Sequence, residues 1–104
     1  MIQFVWEFIA RADKVAEFER HYDASGAWAQ LFRKSAGFQG TQLLRDAENS
    51  RRYLIVDRWE SEAAYRAMRE RFAKEHEALD RACEEFTELE RRIGAFEEGA
   101  TGTR

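Results

Sequence analysis

The first strand-like run, Ile2-Gln3-Phe4-Val5-Trp6-Glu7-Phe8-Ile9-Ala10, constrains this chain more than any other segment because it is apolar on both faces. Period-two alternation puts Ile2, Phe4, Trp6 and Phe8 on one side, while Val5 and Ile9 share the other with Gln3 and Glu7. Antiparallel sheets ordinarily leave one face polar and solvated. This strand instead predicts a sheet with helices on one face and a second protein surface on the other.

The rest of the 104-residue chain supplies the covering elements. Asp13 is placed to cap a helix ending at Tyr22, with Val15, Phe18 and Tyr22 on one stripe. Ser25 is placed to cap a second, short helix carrying Trp28, Leu31 and Phe32, which Gly37 would terminate. Residues 38–45 and 52–59 read as antiparallel strands joined by the polar turn 46–51. Ser61 then caps a stretch in which Ala64, Tyr65, Met68 and Phe72 recur at helical steps, followed by His76, Leu79, Cys83 and Phe86 at the same spacing. The periodicity fits one bent helix or two. Glu62 with Arg66, Glu70 with Lys74 and Glu77 with Arg81 make i, i+4 pairs on its exposed side. Residues 87–90 read as a connection, 91–97 as a fourth strand and 99–104 as a disordered tail, leaving 1–98 as a single domain.

The resulting order, βαββαβ, is that of an α+β ferredoxin-like domain: a four-stranded antiparallel sheet with helices on one face. Together with the two-sided first strand it predicts a homodimer joined through the open sheet faces.

Charge and composition narrow the function. Lys plus Arg number 17 against 20 Asp plus Glu, a net charge of −3, which disfavours nucleic-acid and anionic-membrane partners because both want a basic face. No apolar run approaches the roughly eighteen residues of a bilayer span, and mean hydropathy is −0.70. Cys83 is the one cysteine, so neither an intrachain disulfide nor a zinc site built from paired thiolates is available, and His21 and His76 alone do not make a metal centre. The chain enters its first strand without a basic, leader-like segment, which predicts a cytoplasmic location. A Gly-rich phosphate loop and a nucleophile elbow are both missing from the sequence.

The run Tyr53-Leu54-Ile55-Val56-Asp57-Arg58-Trp59-Glu60-Ser61-Glu62-Ala63-Ala64-Tyr65 resembles the antibiotic biosynthesis monooxygenase family of dimeric α/β-barrel proteins. Phe38-Gln39-Gly40-Thr41-Gln42-Leu43-Leu44 is similar to that family's second strand, and Ile93-Gly94-Ala95-Phe96-Glu97 to its last. The resemblance implies two four-stranded sheets packed across a dimer, with a pocket between sheet and helices in each subunit. The 14 aromatics (Phe 8, Trp 3, Tyr 3) exceed what a core of this size needs, so some are free to line a cavity.

The resemblance also implies roles. Members that oxidise aromatic polyketides carry a tryptophan matching Trp59 and a tyrosine matching Tyr65, and an asparagine four residues before that tryptophan, where this chain has Ile55. In haem-degrading members a helix histidine at a position similar to His76 ligates iron, and a first-strand asparagine stands where this chain has Phe8. The leading expectation is a cofactor-independent monooxygenase acting on a small aromatic or polyketide-like substrate. Trp59 and Tyr65 would act as hydrogen-bond donors and His76 as base, with Trp6, Phe8, Trp28, Phe32 and Phe72 as walls. A non-catalytic module holding a small hydrophobic molecule, and a haem-binding protein, are the alternatives. His76 is expected to face the pocket with Trp59 and Tyr65, and to titrate near the ordinary histidine value of about 6.5.

Overall fold

The computed structural model describes residues 1–98. The elements are β1 (Ile2–Ala10), α1 (Val15–Tyr22), α2 (Ala27–Phe32), β2 (Phe38–Asp46), β3 (Asn49–Trp59), α3 (Glu62–Arg71), α4 (Ala73–Cys83), a 3₁₀ turn (Glu84–Phe86) and β4 (Thr87–Glu97). The strands form one antiparallel sheet in the order β2-β3-β1-β4, which is the ferredoxin-like arrangement. The tail expected at 99–104 lies outside the described residues.

Register decides which side chains meet the helices. Phe4 pairs with Asp57, Trp6 with Ile55 and Phe8 with Tyr53, so the even positions of β1 and the odd positions of β3 share the helix-covered face. Ile2, Phe4, Phe8 and Ala10 are buried there. The core divides into two clusters. One gathers Phe8, Phe18, Tyr22, Tyr53, Ile55, Cys83 and Phe86; the other gathers Ile2, Phe4, Leu31, Phe32, Trp59 and Met68. Trp28 and Leu79 pack against both, which places the seam between the clusters beneath α2 and α4.

Several local expectations need correcting. Asp13 does not cap α1: Lys14 holds the N-cap position and no side chain bonds the helix start. Gly26, not Ser25, precedes α2, and Ser25 instead donates its backbone N–H to Asp23 Oδ1 in a turn. Gly37 lies beyond the end of α2; a Cβ there would sit 2.4 Å from that of Ala64, so glycine is needed for close approach of the chain to α3. Gly40 has φ +127° where β2 bulges against β3, a conformation that favours glycine. The β2–β3 hairpin is tighter than expected, Asp46 pairing with Asn49. β4 starts at Thr87 rather than at residue 91. Ser61 does cap α3, its hydroxyl accepting from the Ala64 N–H at 3.1 Å. Phe72, at φ −112° and ψ 32°, divides the expected stretch into two helices. Glu62 with Arg66 and Glu77 with Arg81 form ion pairs, whereas Glu70 and Lys74 fall on opposite sides of that break.

Candidate functional site

A cavity of about 250 Å³ occupies the seam between the clusters. Its deeper wall is buried: Phe8 from β1, Tyr22 from α1, Phe32 from α2, Thr41 from β2 and Ile55 from β3. Trp6, Trp28, Asp57, Tyr65 and His76 are half-buried around it, and Arg69, Asp80 and Glu90 reach solvent at its mouth.

Tyr65 is held from behind. Its ring packs at 4.4 Å on Phe4 and meets Trp59 edge-on at 5.7 Å. Its hydroxyl accepts from Arg69 Nη1 at 3.0 Å, four residues along the same helix. With a cationic donor on its lone pair, the Tyr65 O–H remains able to donate into the cavity.

His76 enters from α4 with its ring 4.9 Å from Trp28, edge to face. Burial, aided by the charge of Arg69 and opposed by Asp80, holds its pKa below the ordinary value. A cavity position therefore does not leave His76 at the ordinary histidine value, contrary to expectation, because the aromatic surroundings exclude enough water to disfavour the imidazolium. Trp28 keeps its own indole Nε1 buried without a hydrogen-bond partner among the described residues.

Two expected site residues do not reach the cavity. Trp59 is fully buried, packed by Phe32 at 5.5 Å, Phe38 at 5.2 Å and Tyr65, and its Nε1 also lacks a partner among the described residues. Its place at the end of β3, under α2 and α3, seals it behind the Tyr65 ring. Phe72 packs against the second cluster at the α3–α4 break, with Lys34 and Arg71 over its ring. Trp6, Phe8, Trp28, Phe32, Tyr65 and His76 do line the space.

The cavity also contains groups that the sequence reading passed over. Asp57 lies one strand step beyond Ile55, directly across from Thr41, whose hydroxyl donates to its carboxylate. Burial pushes the Asp57 carboxyl up to about 6, against the lowering effect of the Thr41 hydrogen bond. Burial also raises Tyr22, and Glu90 is raised by burial and then by its neighbours Asp80 and Glu84. Strand parity was the available signal: Tyr53, Ile55, Asp57 and Trp59 alternate onto the helix side, so the only carboxylate of that set had to face inward.

A four-stranded antiparallel sheet with an aromatic-walled cavity under its helices defines a ferredoxin-like α+β domain. The family model described as antibiotic biosynthesis monooxygenase matches residues 1–78, and the chain belongs to that family. No curated protein matches it. Among solved structures, a protein of Deinococcus radiodurans is similar at a TM-score of 0.76 and 18% identity, over 100% of this chain and 98% of its own. SnoaB, a cofactor-independent oxygenase from Streptomyces nogalater, gives a TM-score of 0.72 at 24% identity over 96% and 94%. A mutant of MhuD with two manganese protoporphyrin IX molecules bound per active site gives 0.73 at 26% over 100% of both chains.

Proposed function

We propose that the protein is a cofactor-independent monooxygenase that oxidises a small aromatic substrate in this cavity. The observation that carries the reading is the composition of the wall: six aromatic rings around proton-accepting and proton-donating groups in a partly enclosed cavity. Deprotonation of an electron-rich aromatic acid makes it able to reduce dioxygen directly, so the protein needs a dry pocket, a base and a donor for the developing oxyanion. Tyr65, oriented by Arg69, suits the donor role, and His76, neutral at physiological pH, is a candidate base. Trp59, which does not line the cavity, supports Tyr65 from behind. SnoaB, similar in fold, supports the reaction class.

The volume bears on substrate size. A cavity of about 150 Å³ holds one benzene ring. At about 250 Å³ this one suits a two-ring system, with a third ring extending toward the mouth. Oxygen-electrode measurements with anthrone should show substrate-dependent uptake, slowed at least tenfold by Tyr65→Phe if the hydroxyl stabilises the oxyanion. Uptake no faster than in protein-free buffer would overturn the oxygenase reading in favour of a non-catalytic binding module. Ile55 specifically favours that module, because the amide of the aromatic-oxidising relatives is replaced by a hydrocarbon.

The wall suits haem poorly. His76 offers one imidazole, but the wall carries three carboxylates, Asp57, Asp80 and Glu90, against one side-chain cation, Arg69, a poor match for two propionates, and the volume is small for a porphyrin.

The assembled form is proposed to be a homodimer joined through the open sheet face, and the free, buried thiol of Cys83 is compatible with a reducing, cytoplasmic setting. Among the described residues, no helix is long and apolar enough to cross a membrane.

A further inference from the structure

We propose that Asp57, held by the Thr41 hydroxyl, is the proton acceptor of the cavity and selects aromatic ligands that carry an acidic O–H or activated C–H. The inference deepens the oxygenase reading and rests on it for the chemical step.

The geometry is specific. Asp57 projects from the middle of the sheet onto the cavity wall, between the buried Ile55 and the sealed Trp59. Its side-chain partner among the described residues is Thr41, a neutral donor, and no Lys, Arg or His pairs with it there. A carboxylate satisfied by one hydroxyl keeps lone pairs free, and in this position they are directed to a space walled by Trp6, Phe8, Phe32 and Tyr65. The titratable groups that share the space are Tyr65 and Arg69 from α3, His76 and Asp80 from α4, Tyr22 from α1 and Glu90 from β4. Arg69 is engaged with the Tyr65 hydroxyl, Asp80 is exposed at the mouth, and Glu90, partly desolvated there, has two carboxylates, Asp80 and Glu84, as its charged neighbours.

Anthrone and dioxygen are the two reactants. Asp57 takes one methylene proton, and the electron pair stays on the substrate as anthrolate. One electron passes to dioxygen, and the resulting radical and superoxide join in a C–O bond. The peroxide anion takes the proton back from Asp57. Asp57 then removes the remaining C–H proton as the O–O bond breaks, which forms the ketone and hydroxide, and its proton completes a molecule of water. Anthrone is oxidised to anthraquinone, one oxygen atom is reduced to water, and Asp57 ends unprotonated.

Calorimetric titration tests the assignment without turnover. At pH 8 the wild type should bind 1-naphthol about tenfold or more tighter than 1-methoxynaphthalene, as expected for a hydrogen bond to a charged acceptor. The preference should shrink below pH about 6 as the carboxylate is protonated. Asp57→Asn should bind 1-methoxynaphthalene like the wild type, showing that the cavity is intact, while its preference for naphthol falls to about threefold or less. An equal preference in wild type and Asp57→Asn, binding of neither ligand by the wild type, or loss of preference in His76→Ala with retention in Asp57→Asn would each overturn the proposal. If the Asp57-dependent preference is found but anthrone causes no oxygen uptake, the oxygenase reading fails and the Asp57 assignment stands.

Discussion

Asp57 shows how one buried group links stability to chemistry. Its folded-state pKa of about 6 lies above the ordinary 3.8, so the native protein binds the Asp57 proton more tightly than the unfolded chain does between those values. Stability from this site is therefore present at low pH and lost as pH rises through about 6, leaving a net cost for the ionised form on the order of 3 kcal/mol. An asparagine in its place would be neutral, and its carbonyl would still accept from the Thr41 hydroxyl. Asp57→Asn should then be more stable than the wild type at pH 8, with the advantage gone at pH 4; urea unfolding at the two pH values measures this, and a pH-independent difference would count against it. The cavity's aromatic walls were legible in the sequence because Trp6, Phe8, Trp28 and Phe32 fall on regular stripes. Asp57 and Thr41 were not, since their meaning comes from the pairing of β2 with β3 across 16 residues of sequence. Trp59 misled for a related reason: its position at a strand end is recognisable, but only packing tells that Phe32, Phe38 and Tyr65 close over it.

Elements follow the same division between local and tertiary causes. Ser61 is a cap by local chemistry, its hydroxyl serving the Ala64 N–H, and Ser61→Ala should cost about 1 kcal/mol. Asp13→Ala, at a position with no capping bond, should change stability by about 0.5 kcal/mol or less. Thermal unfolding of both variants checks the contrast, and equal losses would contradict it. The helix stripes, the strand alternation and the βαββαβ order were legible because each is a repeating pattern within one segment. The break at Phe72 was legible only as an open choice, and it matters for the site: it lets α3 present Tyr65 and α4 present His76 to one cavity. Gly37 reads as a helix terminator in sequence, yet its requirement comes from Ala64, far along the chain and against it in space. Tyr53 is similar, its hydroxyl donating to Glu19 Oε2 at 2.5 Å and tying β3 to α1.

For the whole molecule, the proposed dimer rests on the face of the sheet away from the helices. Parity and register put Val5 and Ile9 of β1, Leu54 and Val56 of β3, Leu44 of β2, and Leu89 and Phe96 of β4 on that face. Leu44, Leu89 and Phe96 are 41%, 37% and 50% exposed in the single chain. Amid them Glu7 is buried, bonded by Arg52 at 2.7 Å and by Arg91 at 2.6 Å, and Arg52 reaches on to Asp46 at 3.1 Å. These bonds, that from Arg52 foremost, hold the Glu7 carboxyl below the usual range, so a fixed ionic cluster sits inside an apolar surface rather than a loose charged one. An apolar surface of this kind marks a protein contact, and burying each leucine- or phenylalanine-sized side chain is worth about 1.5 to 3 kcal/mol. A second copy of the chain offers the same surface and can satisfy it by a two-fold contact. Sedimentation equilibrium should therefore give the wild type twice the 12.3 kDa chain mass at micromolar concentration. Leu89→Arg with Phe96→Arg should give a folded species of single-chain mass, because two added charges would have to be buried unpaired in the contact. The cavity lies on the opposite side of the sheet, so this double variant should still bind 1-naphthol. A wild type that sediments as a single chain would remove the dimer, and a double variant that remains dimeric would move the contact to another face.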